Sequence, residues 1–202
     1  MKKKIGFFGG SFDPIHFGHL NLAIEILEKK KLDEVWFSPA FISPFRLSKP
    51  PISAIDRVNM VKLALDNTPF FRCFEDEATI AGASYTIETM QKVQAENHDN
   101  VFFIILGEDS LPTFHLWRES QKLAAIAPLL IGCRREVALL ERLETLPMPP
   151  SIKEAIKVGI VETKLMEISS TEIRERIKKR LYCNHLLPSK VLDYITENQL
   201  YF

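Results

Sequence analysis

Two histidines stand three residues apart in the run Gly9-Gly10-Ser11-Phe12-Asp13-Pro14-Ile15-His16-Phe17-Gly18-His19. A short apolar segment precedes this run and a helical pattern follows it. The order strand, glycine turn, helix start presents backbone N–H groups and a helix N-terminus to an anion. The spacing puts both imidazoles on one face of the first turn. Gly18 between them leaves room for close approach of a ligand. The chemistry expected here is contact with a nucleotide phosphate. A zinc site would need a third and usually a fourth protein ligand. The sequence places none, so no metal site is expected.

A second cluster points the same way. Ile168-Ser169-Ser170-Thr171-Glu172-Ile173-Arg174 follows a strand pattern and opens a helix. Ser169 and Glu172 have the spacing of a capping box, which is the plainer account of these residues. The hydroxyls and N–H groups would also suit phosphate oxygens. Arg174, one turn in, adds charge-assisted donors.

Both clusters must be held by a frame, and the chain supplies a regular one. Strand patterns occur at Lys4 to Phe8, Glu34 to Ser38, Phe70 to Phe74, Val101 to Leu106, Leu129 to Cys133 and within Ile160 to Ile168. Helical patterns alternate with them. The first runs from Phe17 to Lys30 with Leu20, Ala23, Ile24 and Leu27 on one face. The next starts at an N-cap, Ser53, and turns Ile55, Val58, Val61 and Leu65 inward. Thr86 to Glu96, a segment around Glu119 to Ile126, a proline-broken stretch from Glu136 to Val158, Thr171 to Arg180 and Ser189 to Asn198 complete the series. Pro39 to Pro51 holds four prolines and reads as a loop. Alternating strands and helices, with several wholly apolar strands, mean a parallel sheet covered on both faces. The expected fold is α/β, a Rossmann-like doubly wound sheet. It forms a single domain over 1–202, with a catalytic core to about 180 and a small helical part from about 181. Loops beginning at Gly9, Pro39, Gly107 and Arg134 should line one crevice beyond the strand ends.

Composition narrows the function classes. The formal net charge is zero, which disfavours nucleic acid as a partner. Three widely spaced cysteines form no pair and suit reduced thiols in a cytoplasmic protein. No apolar run reaches the ~20 residues of a membrane span. The first turn is not G-x-G-x-x-G, and the second strand ends without an acid for a ribose hydroxyl, which disfavours a dehydrogenase. A P-loop is also missing.

Gly10 to His19 matches, position for position, the G-x-F-x-P-x-H-x-G-H signature of the nucleotidylyltransferase superfamily, and Ile168 to Arg174 resembles its second mark. Between them lie Ser84-Tyr85-Thr86, Gly107-Glu108-Asp109-Ser110-Leu111, Phe114 to Trp117 and Cys133-Arg134-Arg135, and the chain ends Leu187-Pro188 … Tyr194-Ile195 … Leu200-Tyr201. Over nearly its full length the sequence resembles the bacterial nicotinate-nucleotide adenylyltransferase family. The loop after the second strand departs from it: the family commonly has a histidine where Phe45 stands, while Arg46 keeps the cation.

The resemblance implies adenylyl transfer from ATP to nicotinate mononucleotide, with Mg²⁺ bound mainly through the ATP phosphates. It implies catalytic roles for His16, His19 and Arg174. Nucleotide binding would fall to Gly9, Gly10, Ser11, Phe12, Gly18, Gly107, Asp109, Arg134, Ser169, Ser170 and Thr171. Arg46, Tyr85, Thr86 and Trp117 would receive the acid substrate. Simpler readings stay open for three of these: Asp109 as a helix N-cap, Arg134 as a solvated cation and Trp117 as a core aromatic. His98, His115 and His185 carry no motif. Pantetheine-phosphate adenylyltransferase and a non-catalytic nucleotide-binding protein are the alternatives. The sequence leaves a homo-oligomer open.

Overall fold

The computed structural model describes residues 2–46, 48, 50–80, 82–164 and 166–202. Six strands form one sheet: β1 (Lys4–Gly10), β2 (Glu34–Pro39), β3 (Phe71–Cys73), β4 (Val101–Gly107), β5 (Leu129–Cys133) and β6 (Ile160–Glu162), in the order β3-β2-β1-β4-β5-β6. The pairs β1–β4, β4–β5 and β5–β6 run parallel, with Ile5 opposite Phe102, Ile105 opposite Leu130 and Ile131 opposite Ile160. The strand order turns at β1, the strand that the glycine turn follows. The expected Rossmann-like α/β fold is what forms.

The helices are α1 (Phe17–Lys30), α2 (Ala54–Leu65), α3 (Asp76–Thr79), α4 (Thr86–Glu96), α5 (Leu111–Phe114), α6 (Ser120–Ile126), α7 (Glu136–Thr145), α8 (Pro150–Val158), α9 (Ser170–Lys178) and α10 (Ser189–Glu197). A single 3₁₀ turn at Pro44–Arg46 interrupts the proline-rich loop.

The chain divides into two compact units. One comprises 1–9, 22–36 and 85–165. Its core is the central strands: all of β5 is buried, with Phe102, Ile104, Ile105 and Leu106 of β4. Such strands carry helices on both faces and read as unbroken apolar runs for that reason. Leu22, Ala23 and Ile26 of α1 and Ile87, Met90 and Val93 of α4 are buried in the same unit. The other comprises 10–21, 37–84 and 166–202. Here α2 packs on α10, burying Val58, Val61, Val191 and Ile195. Asn59 donates to the Tyr194 hydroxyl at 2.9 Å, and that hydroxyl donates to Asp56 at 2.8 Å.

Two expected helix faces are corrected. In α1 the buried positions are Leu22, Ala23 and Ile26, with Leu20, Ile24 and Leu27 half-buried. In α2 Ile55 is 73% exposed, and Arg57 and Met60 are buried instead. Ser53 does cap α2, accepting from the Asp56 N–H at 3.1 Å. The third strand is shorter than expected and α3 was not foreseen.

Candidate active site

The glycine turn after β1 and the first turn of α9 meet within one unit, although about 155 residues separate them in the chain. Ser170 Oγ donates to the Pro14 carbonyl at 2.9 Å. Arg174 Nη1 donates to the Asp13 carbonyl at 2.7 Å, and Nη2 to Thr171 Oγ1 at 3.2 Å. Ser169 accepts from the Glu172 N–H at 3.1 Å, so it caps α9. Ser169 and Thr171 are exposed and Ser170 and Arg174 half-buried, which leaves the hydroxyl cluster facing solvent. Capping uses one lone pair of Ser169 and is compatible with a phosphate nearby.

His16 and His19 face one another with ring centroids 3.7 Å apart and planes inclined at 30°. His16 is 5% exposed, and burial lowers its pKa to about 4. His19 keeps some exposed surface, but its ring stands edge-on to Phe12 at 5.1 Å and against His16. Desolvation, then the neighbouring His16, holds its pKa well below the usual histidine value. Both rings are therefore neutral at pH 7. The His16 backbone N–H donates to His19 Nδ1 at 3.3 Å. Nδ1 thus serves as an acceptor, which places the proton of neutral His19 on Nε2. Nδ1 of His16 is buried with no hydrogen-bond partner among the described residues.

Gly18 serves this pair. A Cβ there would lie 3.0 Å from His16 Nδ1 and 3.4 Å from the Met166 carbonyl, so the space it leaves is taken by the His16 ring. The helix N-terminus is also more occupied than the sequence implies, because the Phe17 N–H donates to the Leu186 carbonyl at 3.0 Å. Phe12 has a left-handed backbone, φ 47°, and a buried ring, so its side chain props His19 and only its backbone can face a ligand. A Cβ on Gly10 would meet that ring at 2.9 Å. Gly9 and Ser11 are half-buried. Arg46 ends the 3₁₀ turn, and its side chain lies outside the described residues.

The other unit carries the remaining candidates. Asp109 is exposed beyond β4, and its carboxylate folds over Gly107, where a Cβ would sit 2.6 Å from Oδ1. Ser110, not Asp109, is the N-cap residue of α5. Glu108 accepts from the Arg134 N–H at 3.0 Å and lies 3.5 Å from Arg134 Nε. Tyr85 sits at the N-cap of α4 with the Arg118 guanidinium 4.7 Å over its ring, and Arg118 pairs with Glu88 at 2.7 Å. Thr86 opens α4, where helix N–H groups favour a carboxylate. Trp117 is half-buried, tilted against buried Phe114 at 5.5 Å, so it is not a core aromatic.

Sequence reasoning missed three residues that build the site. Arg57 is 0% exposed and donates to four carbonyls: Ser11 at 2.8 Å, Ala40 at 2.6 Å, Phe41 at 2.7 Å and Ile52 at 3.1 Å. It ties the glycine turn to the loop after β2. Asp13 is buried and accepts from the Tyr201 hydroxyl at 2.8 Å. An arginine among apolar helix positions was the one available signal. Tyr201 stood in the closing segment that carries the resemblance, but no feature of the sequence assigned it a role at the site.

Two of the thiols are unsuited to nucleophilic work. Burial pushes Cys73 up to about 12 and Cys133 up to about 11. Among the described residues, no group of three or more His, Cys, Asp and Glu side chains is arranged to hold a metal ion, and no helix is long and apolar enough to cross a membrane.

The sequence profile described as cytidylyltransferase-like matches residues 7–176. A protein of Bacillus subtilis named nicotinate-nucleotide adenylyltransferase is 35% identical over 199 residues, covering 98% of each chain. A Methylacidiphilum infernorum protein named "Probable nicotinate-nucleotide adenylyltransferase" is 35% identical over 198 residues, covering 98% of this chain and 92% of its own. Among solved structures, Plasmodium falciparum nicotinic acid mononucleotide adenylyltransferase complexed with NaAD superposes with a TM-score of 0.75 at 21% identity, over 98% of this chain and 97% of that one. At that identity the likeness speaks for the fold.

Proposed function

The chain belongs to the nicotinate-nucleotide adenylyltransferase family of cytidylyltransferase-like proteins, and from that premise we propose that it transfers the adenylyl group of ATP to nicotinate mononucleotide. The products are deamido-NAD and pyrophosphate. The observation that carries this reading is the joining of the two signature segments, Ser170 to Pro14 and Arg174 to Asp13. It gathers a neutral imidazole donor, a hydroxyl cluster and a guanidinium in one unit.

The attacking group is the phosphate of the mononucleotide, mostly ionised near pH 7. One of its oxygens bonds to the α-phosphorus of ATP, and the bond from that phosphorus to the β-phosphate bridge breaks. No proton has to be removed, so no general base is required. Catalysis is positioning and stabilisation of charge. His19 Nε2–H donates to the oxygens that gain charge. Neutral imidazole suits this task because it donates without titrating. Arg174 and the hydroxyls of Ser169, Ser170 and Thr171 hold the triphosphate. The backbone around Gly9 to Phe12 receives the nucleotide. ATP enters as its Mg²⁺ complex, the ion riding on phosphate oxygens and needing few protein ligands.

In the same reading Asp109 accepts from ribose hydroxyls, and Arg134, steadied by Glu108, reaches phosphate. Trp117 offers an indole face to the electron-poor pyridine ring. The N–H groups at Tyr85 and Thr86 receive the carboxylate. One catalytic domain over 1–202, at work in the cytoplasm, belongs to the same proposal, supported by relatives matched over 98% of the chain.

The test is pyrophosphate release from MgATP with nicotinate mononucleotide, nicotinamide mononucleotide and phosphopantetheine in turn. Turnover should be fastest with the acid mononucleotide and abolished by chelating Mg²⁺. Turnover with phosphopantetheine alone, or ATP binding with no turnover on any acceptor, would overturn the reading.

A further inference from the structure

Asp13 is 5% exposed, and its two carboxylate oxygens are treated differently. Oδ1 accepts from the Tyr201 hydroxyl at 2.8 Å. Oδ2 lies 3.6 Å from Arg174 Nη1, too far for a good hydrogen bond. That same nitrogen donates instead to the Asp13 main-chain carbonyl at 2.7 Å. Arg174 is therefore hydrogen-bonded to a neutral oxygen and to Thr171, while its ion pair with the nearest carboxylate stays loose at 3.6 Å.

We propose that Tyr201 is a positioning residue for Arg174: its hydroxyl occupies Asp13 and so keeps the loose ion pair from tightening into a direct bond, leaving the guanidinium's donors to an anionic phosphate chain. This rests on the reading of Arg174 as a triphosphate ligand. A buried carboxylate deprived of the phenol would be short of donors, and such groups draw in the nearest cation. A movement of under about 1 Å would bring Nη1 to the ~2.8 Å of a charge-assisted bond. That bond would compete with the phosphates for the same guanidinium.

The phenol is suited to this task. Burial, then the Asp13 charge, pushes its pKa well up, so it remains a donor throughout the working range. The Leu200 N–H donates to the Ile195 carbonyl at 2.9 Å, which anchors the tail on α10. Tyr201 itself adopts φ 67°, a conformation that side-chain-bearing residues keep only when their surroundings enforce it. The end of the chain is thus built into the site through one hydroxyl.

The experiment is steady-state kinetics on the full chain for Y201F, D13N, Y201F/D13N and R174A, each with a thermal midpoint to establish folding. Y201F should raise KM for MgATP about fivefold to tenfold, roughly the worth of one ordinary hydrogen bond. KM for nicotinate mononucleotide and kcat should stay within about twofold. Y201F/D13N should return KM for ATP toward the wild-type value, because a neutral amide attracts the guanidinium far less than a carboxylate does. A merely structural hydroxyl would give a double variant at least as impaired as Y201F, and that result would overturn the proposal. So would an unchanged KM for ATP in Y201F. Should Y201F fail to fold, D13N alone decides, with KM for ATP expected at or below wild type and a threefold rise counting against. If R174A leaves KM for ATP unchanged, the triphosphate role of Arg174 falls, and this inference with it. If R174A raises it and Y201F does not, only the inference falls.

Discussion

The backbone N–H of His16 donates to Nδ1 of His19, three residues on, at 3.3 Å. A main-chain donor cannot change its nature, so this bond sets which imidazole nitrogen carries the proton. It makes His19 a fixed Nε2–H donor, aligned by the chain's own fold and tucked against His16 and Phe12.

Loss of that donor should be felt in the transition state. H19A is expected to lower kcat by about 100-fold or more, with KM for nicotinate mononucleotide changed by under about threefold. Because desolvation keeps His19 neutral, kcat should show no ionisation from it between pH 6 and 8. A kcat that rises on acidification through pH 6.5 would mean that an imidazolium is the donor, contrary to this assignment.

His16 makes a prediction about stability. Its folded pKa of about 4 lies below the unfolded value near 6.5, so the unfolded chain binds the proton first. Stability is fully present above pH 6.5 and falls as the pH drops toward 4. The loss is on the order of 3 kcal/mol over that window. Tm measured against pH should decline more steeply in the wild type than in H16Q. Parallel curves would show that His16 is not the group responsible.

The sheet and most element ends were legible because apolar strands between helical patterns leave few alternatives. The inward face of α1 was not. Leu20, Leu22, Ala23, Ile24, Ile26 and Leu27 surround much of that helix, so periodicity does not choose among them. The two signature segments stood out in the sequence, but not the residues that hold them. Arg57 binds carbonyls from the glycine turn, from the end of β2 and from Ile52. Only the folded chain brings those together, so no local pattern announces the residue. The same holds for Tyr201, whose partner Asp13 lies 188 positions away.

Arg57 should behave as a buried keystone. R57A strands four carbonyls and is expected to destabilise the fold by about 3–5 kcal/mol in urea unfolding. R57K keeps the charge, but an ammonium has three donors and no planar fork. It should recover part of the stability while kcat/KM stays low, because the Ser11 carbonyl and the turn around it are no longer held. R57K with wild-type activity would mean that the turn does not depend on this guanidinium.

Trp117 is half-buried, with Phe114 tilted against it at 5.5 Å, so part of the indole stays open to a ligand. W117A should raise KM for nicotinate mononucleotide about tenfold and leave KM for ATP within about twofold, whereas W117F should keep most of the affinity. Equal losses for both substrates, or none, would remove the residue from the acceptor side.

Gly18 offers the most local test of the histidine pair. The Cβ of alanine there would press on His16 Nδ1 at 3.0 Å and on the Met166 carbonyl at 3.4 Å. Either the imidazole tilts by a few tenths of an ångström or the backbone shifts. Gly18 lies in α1, where alanine is the better helix former by about 1 kcal/mol. The two effects oppose one another in stability, so Tm of G18A should move little. They do not oppose one another in catalysis, because tilting the His16 imidazole displaces the ring that packs on His19, and a backbone shift displaces the N–H that sets its tautomer. G18A is therefore expected to lose about tenfold to 100-fold in kcat at nearly constant Tm. A fall in Tm with kcat preserved would show that Gly18 is needed for packing alone.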